Sequence, residues 1–168
     1  IQKGDEQHVG ILLDYDVEKP QQEVVRVQSG DTHVSTDRLG VGFAGAGNYA
    51  SVHLIPHVQD HARTDLVGLC TATGKSAKQA ADSFGFDYCT TDLQPLLDDD
   101  AIDAVFIATR HSTHAEFAVR VLEAGKHVFI EKPMVVSEEQ LDALSEAYEA
   151  AQSRRHSGRT GFMVGLNR

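Results

Sequence analysis

The feature that most constrains this chain is a rhythm: from residue 39 onward, short apolar runs rich in β-branched residues alternate with longer segments of helical pattern. The runs are LGVGFAG (39–45), DLVGLC (65–70), FDYCT (86–90), IDAVFIA (102–108), HVFIE (127–131) and FMVGL (162–166). The first, fourth and fifth are almost continuously apolar, which suits strands covered on both faces. Strands of that kind lie in parallel sheets, and parallel neighbours need crossover connections, which the intervening helical segments supply. The rhythm therefore predicts an α/β fold, a doubly wound parallel sheet of about six strands.

The helical segments carry start and stop signals. Thr113 followed by Glu116 reads as a capping box; the helix then runs through AEFAVRVLEA, and Gly125 supplies the stop. Ser137 with Gln140 starts another, whose Leu141, Leu144 and Tyr148 share one face. Pro56 falls inside the first helical pattern and should kink or end it, because proline has no N–H to give the preceding turn.

Residues 1–38 break the rhythm. ILLDYD and EVVRVQ could form short strands, but polar, acidic and turn-prone residues interrupt them and no crossover helix fits between. The segment reads as an appendage or linker, with one domain over 39–168. A net charge of −10, with the Lys and Arg scattered, argues against a nucleic-acid surface. No run is long and apolar enough for a membrane span, and IQKGDEQHVG lacks the basic-then-apolar form of a secretory leader. The expectation is a cytoplasmic protein. Cys70 and Cys89 are too few for a disulfide framework and read as buried reduced thiols.

The candidate chemistry begins where the first run ends. Gly45, Gly47 and Ala50 form G-x-G-x-x-A between a predicted strand and a predicted helix, enclosing Asn48 and Tyr49. Glycine costs stability in either element, so its use here points to a tight turn and to close approach of a ligand phosphate to exposed N–H groups. Ala50 is small enough to stand for the third glycine, which packs helix against strand. A dinucleotide with a free ribose 2′-hydroxyl calls for a carboxylate at the end of the second strand, yet no Asp or Glu occurs between Asp65 and Asp82. Thr71, Thr73 and Lys75 stand there instead, a set that would accept a 2′-phosphate, so the cofactor is NADP or NAD.

Two later stretches narrow the reading. FIATRHSTHAEFAVRVLEAGKHVFIEKPMVVS (106–137) holds a strand, a polar turn ending in His, a helix, A-G-K-H, another strand and E-K-P, and the chain closes on MVGLNR. With the glycine loop, this resembles the N-terminal Rossmann domain of the Gfo/Idh/MocA family of NAD(P)-dependent oxidoreductases, over about residues 39–168. The resemblance implies that Lys132 of E-K-P lies beside the nicotinamide and substrate. It also implies that Thr109, Arg110, His111 and His114 border the nicotinamide ribose, and that Glu131 and Asn167 join the cofactor contacts. Arg110 and His111 depart from the Pro-Asn common at that turn. The departure is similar to a subgroup in which the oxidoreductase half is fused behind a zinc alcohol dehydrogenase-like half, and GILLDYDVEKP resembles the last strand of such a half. The resemblance further implies a sugar-like or polyol substrate. It places the substrate pocket and the main contacts of a homo-oligomer in a C-terminal domain absent from this chain, so residues 1–168 alone are expected to bind dinucleotide without turnover.

Lys132 stands out on physical grounds as well. It follows a buried strand at the carboxyl edge of the sheet, where open α/β folds place ligands, and Pro133 fixes the chain after it. A desolvated lysine there can donate to a substrate oxygen; a lysine merely paired with Glu131 is the plainer alternative. His111 and His114 lack a third metal ligand at suitable spacing, so no metal site is expected. His53, His57 and His61 read as solvated surface residues. The rival readings are a non-catalytic dinucleotide-binding redox sensor and an S-adenosylmethionine-dependent methyltransferase; the E-K-P strand end argues against the second.

Overall fold

The apolar runs become strands of one seven-stranded sheet. The computed structural model describes residues 24–27, 37–154 and 160–166. In chain order the strands are β1 (Val24–Arg26), β2 (Leu39–Ala44), β3 (Thr64–Cys70), β4 (Tyr88–Thr90), β5 (Ala104–Ile107), β6 (His127–Ile130) and β7 (Phe162–Val164). They lie in the order β1-β4-β3-β2-β5-β6-β7, and every neighbouring pair is parallel except β1 with β4. The six strands expected from 39 onward are all present. EVVRVQ adds the seventh, because Val24–Arg26 pairs antiparallel with Tyr88–Thr90 as an edge strand. ILLDYD lies outside the described residues.

Strand alternation separates two apolar layers. Val41 and Phe43 point to one face, where they join Leu66, Leu69 and Phe86 with Ile55 of α1 (Ile55–Gln59) and Ala77 and Ala81 of α2 (Gly74–Phe84). Val105, Ile107, Val128 and Ile130 point to the other. There they meet Leu96 of α3 (Gln94–Asp98), Val121 and Leu122 of α4 (His111–Glu123), and Leu144 of α5 (Glu138–Arg154). Burying each such side chain is worth about 1.5–3 kcal/mol, which explains why near-continuous apolar runs were needed. Across β2, β5 and β6 the in-register rings Phe43, Phe106 and Phe129 stack at centroid distances of 4.9 and 4.7 Å.

Helix punctuation held in part. Pro56 enters in the first turn of α1, and the residues before it, Ala50–Leu54, wind as a π-helix in which the Ile55 N–H donates to the Ala50 carbonyl. Ser137 accepts from the Gln140 N–H at 3.3 Å, while the Gln140 side chain accepts from the Val136 N–H at 2.9 Å. Gly125 ends α4 with φ +76°. The Thr113–Glu116 capping box is not formed. The helix starts at His111, two residues earlier, with an extended Arg110 before it, and the Thr113 hydroxyl instead reaches back to the Arg110 carbonyl at 2.9 Å. A hydroxyl can serve either as a cap or as a donor to the preceding turn, and the spacing alone does not separate the two.

Candidate functional site

The chain leaves β2 toward β3 and β4 on one side and, after β4, returns to add β5, β6 and β7 on the other. The crest between β2 and β5 is therefore the point where the winding reverses, and open α/β sheets take ligands outside the carboxyl ends of the strands at such points. The loops after β2, β5 and β6 converge there around a cavity of about 250 Å³. Gly47, Tyr49 and Ala50 come from the first loop, Ala108, Thr109, His111 and His114 from the second, and Glu131 and Lys132 from the third.

Gly45 lets the first two loops touch. Its φ is +100°, and a Cβ on it would stand 2.5 Å from the Ala108 carbonyl oxygen. Its N–H donates to the Cys70 carbonyl at 2.8 Å, so the loop is also tied to β3. Gly47 differs: a Cβ there would meet nothing within 4 Å, because the position faces open space at the cavity. A cradle that only a side chain would fill fits a phosphate group approaching the backbone. Tyr49 stands half-open at the rim, its ring 5.2 Å from that of His53.

The third loop carries two charged neighbours in different settings. Glu131 is buried at 7% exposure and accepts the Lys132 N–H at 3.3 Å. Gly165 leaves room for this carboxylate, since a Cβ there would come within 2.6 Å of Oε1. Lys132 is exposed, which corrects the expectation of a desolvated lysine. The alternative of a Lys132–Glu131 ion pair is not met either; the ion pairs Arg38–Asp65, Lys78–Asp82 and Arg120–Asp92 do not include Lys132. Lys132 thus lines the cavity from its exposed side.

His114 is 1% exposed, and both ring nitrogens face backbone carbonyls, Nδ1 that of Pro133 at 2.8 Å and Nε2 that of Thr109 at 3.2 Å. It lines the cavity, and because a neutral imidazole has one N–H, only one of these two contacts is a donated hydrogen bond. His111 lies edge-on to it at 5.6 Å. Among the described residues no three His, Cys, Asp or Glu side chains come together as a metal site.

The remaining candidates stand apart from the cavity. Thr71, Thr73 and Lys75 follow β3 at the next corner of the crest. There Thr73 accepts the Ser76 N–H at 3.3 Å as the N-cap of α2, and the Thr71 hydroxyl lies 2.8 Å from that of Ser76. These two hydroxyls serve the helix start, leaving exposed Lys75 as the open cation of the set. Asn48 and Arg110 are exposed beside the cavity without lining it, and Asn167 lies outside the described residues. Sequence reasoning missed Ser76 and Gly165. The first was discoverable from the T-x-x-S spacing before α2, whereas the second depends on where the Glu131 side chain turns.

Comparison with known proteins fits this geometry. Residues 39–158 match the family model GFO_IDH_MocA, described as an oxidoreductase family with an NAD-binding Rossmann fold. The oxidoreductase YrbE of Bacillus subtilis, itself uncharacterized, is 36% identical over 138 residues, which cover 79% of this chain and 37% of that protein. The NAD(+)-dependent scyllo-inositol 2-dehydrogenase of the same organism is 40% identical over 70 residues, covering 42% and 20%. KijD10, a 3-ketoreductase from Actinomadura kijaniata solved with TDP-benzene and NADP, superposes with a TM-score of 0.63 at 27% identity, covering 68% of this chain and 36% of that one. The chain thus spans little more than a third of these relatives at most. On the match over residues 39–158, it belongs to the Gfo/Idh/MocA oxidoreductase family and is its NAD-binding Rossmann domain.

Proposed function

We propose that the full-length protein transfers hydride between a nicotinamide cofactor and a hydroxyl- or carbonyl-bearing carbon of a sugar-like or polyol substrate. The observation that carries this reading is the meeting of the open Gly47 cradle and Lys132 on one cavity. The cofactor, when bound, supplies the hydride acceptor or donor. The Gly45–Tyr49 loop would hold its pyrophosphate by backbone N–H groups, as helix-initiating turns hold anions. Tyr49, Thr109 and His111 would wall the nicotinamide riboside. Lys132 would donate to, and exchange a proton with, the substrate oxygen from the cavity mouth. At the β3 corner, Lys75 would meet a 2′-phosphate, so NADP is accepted at least as well as NAD.

The substrate class rests on relatives such as scyllo-inositol 2-dehydrogenase. The second wall of the substrate pocket and the contacts of a homo-oligomer belong, on this reading, to sequence that the longer relatives have beyond the matched region. Residues 1–38 would be the tail of a preceding zinc alcohol dehydrogenase-like half; zinc bound by the full-length protein would support that, and a metal-free full-length protein would count against it. The experiment for the main reading is to titrate NAD(H) and NADP(H) into the full-length protein and screen polyols and aldoses for change in nicotinamide absorbance. Binding without turnover by any of them would favour the redox-sensor reading instead.

A further inference from the structure

We propose that His114 is a positioning residue that sets Lys132 by fastening the loop after β6 to the loop after β5. It rests on the reading that nicotinamide and substrate meet in this cavity. His114 sits in the first turns of α4 and is 1% exposed. Its two nitrogens reach carbonyls 24 residues apart in sequence, those of Thr109 and Pro133. Pro133 directly follows Lys132, and with no N–H of its own the proline offers only its carbonyl to hold this turn. Beyond it, the backbone is next tied at Val136, whose N–H donates to the Gln140 side chain. On the other side the Thr109 turn is braced separately, its hydroxyl 2.8 Å from that of Thr113. Carried on α4 beside the braced Thr109 turn, the ring thus ties that turn to the one that aims the lysine through its single N–H.

A neutral imidazole has one N–H to give, and the shorter contact, to Pro133, places it on Nδ1; substitution tests this, because an Asn amide nitrogen falls near Nδ1 of a histidine ring and a Gln amide nitrogen near Nε2. His114→Asn keeps a donor for Pro133 and gives up Thr109; His114→Gln does the reverse. In the full-length protein at saturating dinucleotide, both variants are expected to lose kcat, with His114→Gln lower than His114→Asn by about tenfold or more, as a displaced catalytic group is. Dinucleotide affinity is measured for each variant separately, so that lost binding is told apart from lost kcat. Hydrogen exchange gives a readout independent of catalysis: His114→Gln should speed exchange in residues 131–136, and His114→Asn in 109–113 instead. Failure of the parent protein to use any nicotinamide would sink the proposed function and leave the exchange pattern to decide the tie. Equal loss in both variants, the reverse order, unchanged exchange, or unfolding of both would overturn the proposal, since the ring would then be only a core element.

Discussion

Gly45 and Ala108 touch backbone to backbone across the crest, and a Cβ on Gly45 would lie 2.5 Å from the Ala108 carbonyl oxygen. Two residues on, Gly47 has no protein atom within 4 Å of the same hypothetical position. The two glycines of one motif therefore have different surroundings, one packed against neighbouring backbone and one facing open space.

Substitution should separate them. Gly45→Ala combines a left-handed backbone with a backbone clash and should cost about 2 kcal/mol or more of stability, read by denaturant unfolding. Gly47→Val should leave the unfolding midpoint nearly unchanged and abolish dinucleotide binding by calorimetry. A folded Gly47→Val variant with parental affinity would move the cofactor elsewhere.

At the neighbouring corner, the end of β3 predicts cofactor choice. No carboxylate follows Cys70 before Asp82, the hydroxyls of Thr71 and Thr73 are engaged around Ser76, and Lys75 is exposed. NADP(H) should bind at least as tightly as NAD(H), and Lys75→Ala should weaken NADP(H) selectively, by about 1 kcal/mol as for a partly exposed ionic contact. Side-by-side titrations check this. A strong NAD(H) preference that persists in Lys75→Ala would refute it.

Burial makes the alkaline limb of stability steep. The Cys70 thiol is pushed from 9.0 to about 11, chiefly by desolvation and then by Asp92, against a smaller opposing effect of Arg120. Its folded value exceeds its unfolded one, so the stabilisation is complete below about pH 9 and is lost as pH rises toward 11, when the unfolded chain ionises first. A rise of that size corresponds to about 2–3 kcal/mol. Cys89 is raised as well and adds in the same direction, whereas buried Lys126, lowered by desolvation, works against them over the same alkaline range. Cys70→Ala should flatten the fall in unfolding free energy between pH 9 and 11; an unchanged slope would assign it to other groups.

What the sequence made legible follows from how local each signal is. β2, β5 and β6 could be read because burial on both faces forces a continuous apolar run, and the glycine loop because it lies at the end of one of them. β1 could be read as a strand but not as part of this sheet, since its three residues are only half-covered and their partner lies more than 60 residues away. The exposure of Lys132 and the two carbonyl partners of His114 depend on how three loops meet, which no spacing encodes. Gly45 and Gly47 look alike in sequence and diverge only once Ala108 stands beside the first.

Lys132 gives the sharpest test of mechanism, because its position separates chemistry from folding. The side chain is exposed and forms none of the ion pairs among the described residues, so removing it should change neither the unfolding midpoint nor the core. It shares the cavity with Gly47 and Thr109, yet on the proposed reading the pyrophosphate is held by backbone, so dinucleotide affinity should stay within a few-fold. The proposed donation to the substrate oxygen would have no such substitute. Lys132→Met in the full-length protein should therefore lower kcat by about 10²–10⁴-fold, the range typical of a lost general acid–base group. Lys132→Arg keeps the charge but not the compact, titratable ammonium, and should recover little of the loss. Steady-state kinetics, with cofactor affinity measured separately, decide the matter. Equal turnover in parent and Lys132→Met would remove the lysine from the reaction and leave a nucleotide-binding module whose chemistry lies elsewhere.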